Sequence, residues 1–317
     1  MNIVDLAVPS HTDSLENEPA RQLAEIERRL NDDRLAASRR SKRLGDTLSA
    51  MGLLSERHVK QIARIQEETG EPFGKIAIRK GYVKPSAVQA AIGVQFGFLR
   101  ESNNPIDIPE RLVVMRKPHS EQSEKIRLLR TRLITSCKQE ELKTISVIGM
   151  GNDKGAVELA ANLGATFAQL HRRVLIIDAN LRTSGLAKFF NIKDGNKKAA
   201  GLADYLCGRA RYDDIIQQSL VTRLDLLTEG QRAYNPQILL GSDEFDKLLD
   251  RARSAYDIIL TLSSGHGLIG DGQFVWNKSD SALIVARKNK TREHELKQLA
   301  GVLFDLDTKI LGAILAK

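Results

Sequence analysis

Thr144-Ile145-Ser146-Val147-Ile148-Gly149-Met150 is an apolar strand pattern that runs straight into Gly151-Asn152-Asp153-Lys154-Gly155. Apolar residues then recur at helical spacing through Ala156, Val157, Leu159, Ala160 and Leu163. Strand, Gly-rich turn and helix in that order make the frame of a phosphate-binding loop, which confines the chain to an α/β fold. A working loop ends Gly-Lys-Ser/Thr, because the lysine neutralises the β- and γ-phosphates and the hydroxyl ligates magnesium. Here Gly155 is followed by Ala156 and Val157. Removing one partner of a buried charge pair costs about 2–5 kcal/mol, or ~30- to 5,000-fold in affinity. Lys154 lies two residues early on the turn and would have to swing back to compensate. Gly151, Gly155 and the helix N-terminus still offer N–H groups to an anion.

The segments beyond this frame alternate. Strands are expected at Thr144–Met150, Arg173–Asp178, Leu224–Thr228, Asp257–Leu262, Ser281–Ala286 and Lys309–Leu315. Helices are expected at Val157–Leu170, Leu202–Leu206, Ser242–Ala255 and Arg292–Phe304. This predicts a doubly wound, mostly parallel sheet over residues 119–317, with ligands at the carboxyl ends of the strands. A chain of 317 residues with 42% hydrophobic and 28% charged content has room for about two soluble domains. Apolar runs such as Val174 to Ile177 are too short to span a bilayer, and polar, acidic Met1 to Glu18 does not read as a signal peptide. Cys137 and Cys207 lack metal or redox spacing and suit a reducing cytosol. No histidine pair has the spacing of a metal or catalytic site. The net charge of +8 concentrates at Arg39, Arg40, Lys42 and Arg43, a solvated helix face rather than a nucleic-acid surface.

Upstream, residues 1–18 read as disordered, and Leu23, Ile26 and Leu30 predict a helix from Pro19. A repeat follows. Arg43, Leu44, Gly45, Leu48, Gly52, Val59 and Gln66 return 29 positions later as Pro72, Phe73, Gly74, Ala77, Gly81, Val88 and Gln95. Such a period signals stacked supersecondary units. Each unit reads as a short helix, a turn at Gly52 or Gly81, and a second helix capped by Ser55 or Ser86. The all-α tandem-repeat domain then covers 19–100, with repeats at about 43–66 and 72–95, and a linker covers 101–118, where Asn103-Asn104-Pro105 and Pro109 sit.

This repeat resembles the N-terminal domain of type II secretion and pilus assembly ATPases, some of which bind cyclic di-GMP through the tandem motif. The resemblance makes Arg43, Leu44, Gly45, Gln66, Gly74 and Gln95 candidate cyclic di-GMP residues, with Pro72 in place of the second arginine. The alternative is a helical adaptor whose glycines serve turns.

Residues 111–316 resemble a second family, the tyrosine autokinases of bacterial capsule and exopolysaccharide synthesis, which have a MinD/ParA-like P-loop domain. The resemblance rests on Ser120-Glu121-Gln122-Ser123-Glu124-Lys125-Ile126-Arg127-Leu128-Leu129-Arg130, on Leu175-Ile176-Ile177-Asp178-Ala179-Asn180-Leu181-Arg182, on Gly201-Leu202-Ala203-Asp204-Tyr205-Leu206, on Asn235-Pro236-Gln237-Ile238-Leu239-Leu240 and on Tyr256-Asp257-Ile258-Ile259. It implies that Asp178 and position 180 hold magnesium and activate a hydroxyl; Asn180 is an amide where the family has aspartate. It also implies a magnesium-binding aspartate at position 262, where this chain has Leu262. Glu124, Arg127 and Arg130 keep the Glu-x-x-Arg-x-x-Arg spacing that serves ring-like self-association in the family. The family phosphorylates a C-terminal tyrosine cluster, whereas Tyr82, Tyr205, Tyr212, Tyr234 and Tyr256 are scattered.

Taken together, these features lead to the expectation of a catalytically degenerate scaffold or regulator of exopolysaccharide synthesis or export, with Gly151, Gly155 and Asp178 as a nucleotide-site remnant and no catalytic residues or metal. It would be cytoplasmic, reach the inner membrane only through a partner, and form a homo-oligomer or join an active tyrosine kinase or membrane chain-length regulator. Weak ATP/ADP-magnesium binding is the residual cofactor expectation. The alternatives are a cyclic di-GMP-responsive subunit and a weakly active kinase or ParA/MinD-like ATPase.

Overall fold

The computed structural model describes residues 43–101, 107–138, 140–151, 153–183, 185–192, 200–265 and 269–316. The expectations for residues 1–18, for the helix from Pro19 and for Arg39, Arg40 and Lys42 lie outside the described residues.

The repeat folds as four helices: α1 (Leu44–Ala50), α2 (Glu56–Thr69), α3 (Phe73–Arg79) and α4 (Pro85–Gln95). Gly52 and Gly81 take φ of 67° and 72°, the left-handed conformation that glycine adopts without steric cost. Ser55 caps α2 by accepting the His58 N–H at 3.3 Å. The expected cap at Ser86 is displaced: α4 starts at Pro85 after an N-cap of Lys84, so Ser86 sits one residue inside the helix. Proline has no N–H to leave unsatisfied and suits the first helical position.

The repeated glycines mark close crossings. A Cβ on Gly45 would lie 2.9 Å from both Val59 and Phe73, and one on Gly74 would lie 2.9 Å from Val88 and 3.4 Å from Leu44. Each glycine therefore receives the valine of its own copy and the first helical side chain of the other. That reciprocity explains why the period survives in the sequence.

Residues 107–118, expected to be linker, are packed. Ile108, Leu112, Val114 and Met115 are buried, and Val113–Arg116 forms α5. Helix α6 (Glu121–Ser136) follows, capped by Ser120. The helix after the phosphate-loop turn, α7 (Asp153–Ala168), begins four residues earlier than expected. Its Asn162 stitches α5 in place, accepting from the Val114 N–H at 3.2 Å and donating to the Arg111 carbonyl at 2.8 Å.

The sheet comprises β1 (Thr144–Met150), β2 (Val174–Asp178), β3 (Gln217–Gln218), β4 (Leu224–Leu227), β5 (Ile258–Ser264), β6 (Ser281–Arg287) and β7 (Lys309–Ala316), in the order β3-β4-β2-β5-β1-β6-β7. All neighbours are parallel except β3 and β4. Strands covered on both faces need no polar side, so β1 and β2 are buried throughout. Val174 and Ile176 join the core beneath α6, α7 and the helical module, whereas Leu175 and Ile177 join the core on the other face. The remaining helices are α8 (Leu186–Phe189), α9 (Leu202–Leu206), α10 (Tyr212–Ile215), α11 (Pro236–Leu240), α12 (Asp243–Ala255), α13 (Ile269–Trp276) and α14 (Glu293–Asp305). Between β6 and β7 the register shifts by one residue at Ala282/Leu283, which leaves Leu311 without a partner across the ladder.

The helical module is not tethered loosely. Its core is continuous with the core on one face of the sheet. Leu99 pairs with Val221, the Arg100 N–H donates to the Leu220 carbonyl at 3.0 Å, and the Thr222 N–H donates to the Phe98 carbonyl at 3.0 Å. The Arg100 guanidinium closes this seam on Asp225 at 3.1 Å and on the Ser219 carbonyl at 2.9 Å.

Candidate functional site

The carboxyl ends of β1, β2 and β5 gather the residues singled out in the sequence. Gly151 follows β1 with φ of 63°, and α7 rises from the turn. Ala156 and Val157 are buried on α7, and Lys154 is exposed. The parallel register sets Asp178 directly beside Leu262, and the Ala179 N–H donates to the Leu262 carbonyl at 3.0 Å. Leu262 is only 2% exposed and shares a core with Ala156 and Val157. A methyl on Gly185 would lie 2.8 Å from Val157. Apolar side chains thus occupy the ground between the loop and the acidic strand end.

Asp178 is 1% exposed. One oxygen accepts from the Leu186 N–H at 2.9 Å and the Gly185 N–H at 3.3 Å, where α8 begins; the other accepts from the Asn180 N–H at 3.2 Å. Burial drives its pKa up to about 7 against these three donors, and the charge of Glu229 adds to the rise. The surviving acid therefore works as a local clamp on the 180–186 turn. Asn180 accepts from the Arg182 N–H at 3.4 Å, and the Arg182 fork closes on Asp271 at 2.5 and 3.2 Å. The cavity bordered by Ala179, Asn180, Ser263, Ser264, Asp271 and Gly272 measures about 10 Å3. That is room for about one water molecule.

Asp271 was not legible as a functional position, and Asp204 was legible only as part of a motif, without the contacts it makes. Asp204 accepts from the N–H groups of Gly201 and Gln231, each at 3.0 Å, and from the Arg209 guanidinium at 3.0 and 3.2 Å. Burial opposes its charge, but those donors hold its pKa below the usual carboxylate range. Asp204 stood in the sequence within the Gly201–Leu206 run, where glycine three residues before aspartate is a helix-start pattern at α9.

The remaining candidates divide between two places. On α6, Arg127 pairs with Glu124 and donates to the Pro118 carbonyl at 2.7 Å, so both residues are engaged within the chain. Arg130 reaches across to the Thr166 carbonyl on α7 at 3.1 Å; burial, followed by the charge of Arg127, lowers its pKa to about 10. In the helical module, Arg43 at the N-cap of α1 and Gln66 in the last turn of α2 are exposed, Leu44 packs toward Gly74, Gly45 and Gly74 are buried, and Gln95 closes α4.

No protein-family model matches the chain. Bacillus subtilis (strain 168) tyrosine-protein kinase YwqD is 28% identical over 204 residues, which cover 64% of this chain and 84% of that protein. Escherichia coli (strain K12) tyrosine-protein kinase Etk is 29% identical over 198 residues, covering 62% of this chain and 27% of Etk. The solved kinase domain of Escherichia coli tyrosine kinase ETK superposes with a TM-score of 0.60 at 26% identity, over 68% of this chain and 83% of that one. By aligned sequence, bacterial tyrosine-protein kinases are homologues of this chain, and the ETK kinase domain shares its α/β fold.

Proposed function

We propose that the protein is a catalytically degenerate relative of the exopolysaccharide tyrosine autokinases that acts as a scaffold or regulator of polymer synthesis or export. The observation that carries this reading is the apolar filling of the site: Leu262 stands beside Asp178 in the register, and Val157 abuts Gly185. Phosphoryl transfer depends on positioning and on neutralising phosphate charge. Neither leucine nor valine supplies a ligand for magnesium, and Lys154 is exposed whereas Asp178 is buried.

The partner fitting this reading is an active tyrosine kinase or its membrane chain-length regulator, and such a partner would bring the chain to the membrane. Among the described residues no helix is long and apolar enough to cross a bilayer. Purified protein incubated with magnesium and ATP is expected to yield no phosphotyrosine and no turnover above background, while raising or lowering the autophosphorylation rate of an active kinase domain mixed with it. Magnesium-dependent turnover that Asp178→Asn abolishes would overturn the reading.

A further inference from the structure

A cavity of about 540 Å3 opens where α4 of the helical module faces the corner between α5 and α6. Three cationic side chains line it, Lys84 from the module and Arg116 and Lys117 from the corner, with the imidazole of His119 beside them. No aspartate or glutamate contributes to its wall. Lys84, Lys117 and His119 are exposed, and their side chains have no hydrogen bond or ion pair among the described residues. Arg116 is held at the wall by its own donation to the Ile108 carbonyl at 2.8 Å. Three cations around one hollow repel each other unless an anion lies between them.

The neutral lining suits the same guest. Ser86 and Gln89 offer a hydroxyl and an amide from the first turns of α4. That helix has no side-chain cap, whereas Ser55 caps its repeat counterpart. Pro85 has no N–H and the Ala87 N–H donates to the Lys84 carbonyl at 3.0 Å, so the Ser86 N–H is the first-turn donor left for another acceptor, with the positive end of the helix dipole beside the three cations. The volume falls in the range of sites for small organic molecules, well above that of a single ion.

We propose that this cavity binds a soluble, phosphate-bearing small molecule with at least two negative charges, gripped between the helical module and the α/β domain. The ligand would also bear on α6, because the Arg127 guanidinium donates to the carbonyl of Pro118, a residue of the cavity wall. Occupancy is thereby coupled to the helix carrying Glu124, Arg127 and Arg130. The proposal is independent of the state of the phosphate loop.

Inorganic pyrophosphate is the probe, titrated calorimetrically into the full chain at low ionic strength. One molecule per chain is expected to bind at submillimolar concentration. The double variant Lys84→Glu/Lys117→Glu is expected to weaken binding at least tenfold. Gln89→Trp, which fills the hollow without changing charge, is expected to do the same. Lys154→Ala is expected to leave binding within twofold, and all variants should melt with the parent. Three results would overturn the proposal: no heat at several millimolar pyrophosphate, binding lost only in Lys154→Ala, or binding that the charge reversal leaves within twofold. Flotation with phosphatidic acid vesicles separates a lipid phosphate from a soluble one, and vesicle binding without pyrophosphate binding would overturn it too.

Discussion

Asp178 binds its proton far more tightly in the folded chain than a free carboxyl does, since its pKa stands near 7 against about 3.9 unfolded. Between those values the folded state holds the extra proton, so its contribution to stability is complete below about pH 4 and is lost as pH rises toward 7, at up to ~1.4 kcal/mol per pH unit. Denaturant titrations across that window should show this slope in the parent and a flatter one in Asp178→Asn. A second residue-scale outcome concerns Gly201, where a Cβ would lie 2.4 Å from both the Gly230 nitrogen and the Thr228 carbonyl oxygen. Backbone atoms cannot yield as side chains do. Gly201→Ala is therefore expected to cost ~3 kcal/mol or more and to lower the melting temperature by roughly 6 °C or more. The sequence exposed Ala156, Val157, Asn180 and Leu262 because each breaks a spacing rule at a known place. It was silent on Asp271, whose partner Arg182 lies 89 residues away along the chain, and on the reach of Asp204 to Gln231, 27 residues away. A partner at that range leaves no local pattern.

At the scale of elements, the strands and long helices were readable because their apolar residues follow the period of a buried strand or a one-sided helix. Short elements were less so: α5, α8, α10 and α11 have four or five residues each, too few to establish a period. Helix α13 was hidden by Gly270 and Gly272, which read as loop. A methyl on Gly272 would lie 2.3 Å from the buried Trp276 ring, so the glycine is there for packing. The seam around Leu99 was likewise unreadable, because one bridge with Val221 has no periodicity of its own. Leu99 is 3% exposed and fills the space over Gly93. Leu99→Ala is expected to cost about 2–5 kcal/mol and to speed hydrogen exchange at the amides of Arg100 and Thr222, while amides within β1 keep their protection.

For the whole molecule, the continuous core beneath the helical module and one sheet face argues against two independent folding units. Calorimetry of the parent should show one transition, with the calorimetric enthalpy equal to the van't Hoff value. Two resolved transitions would mean that the module and the sheet part company before either melts. The register shift between β6 and β7 has its own consequence at this scale. Among the described residues β7 pairs only with β6, so its outer backbone N–H and C=O groups face away from the ladder. An open flank of that kind is a template on which a second copy can add a strand. The unmatched residue at Leu311 bends and twists the flank, so an incoming straight strand would fall out of step within a few residues. The irregular step thereby protects the chain from edge-to-edge aggregation.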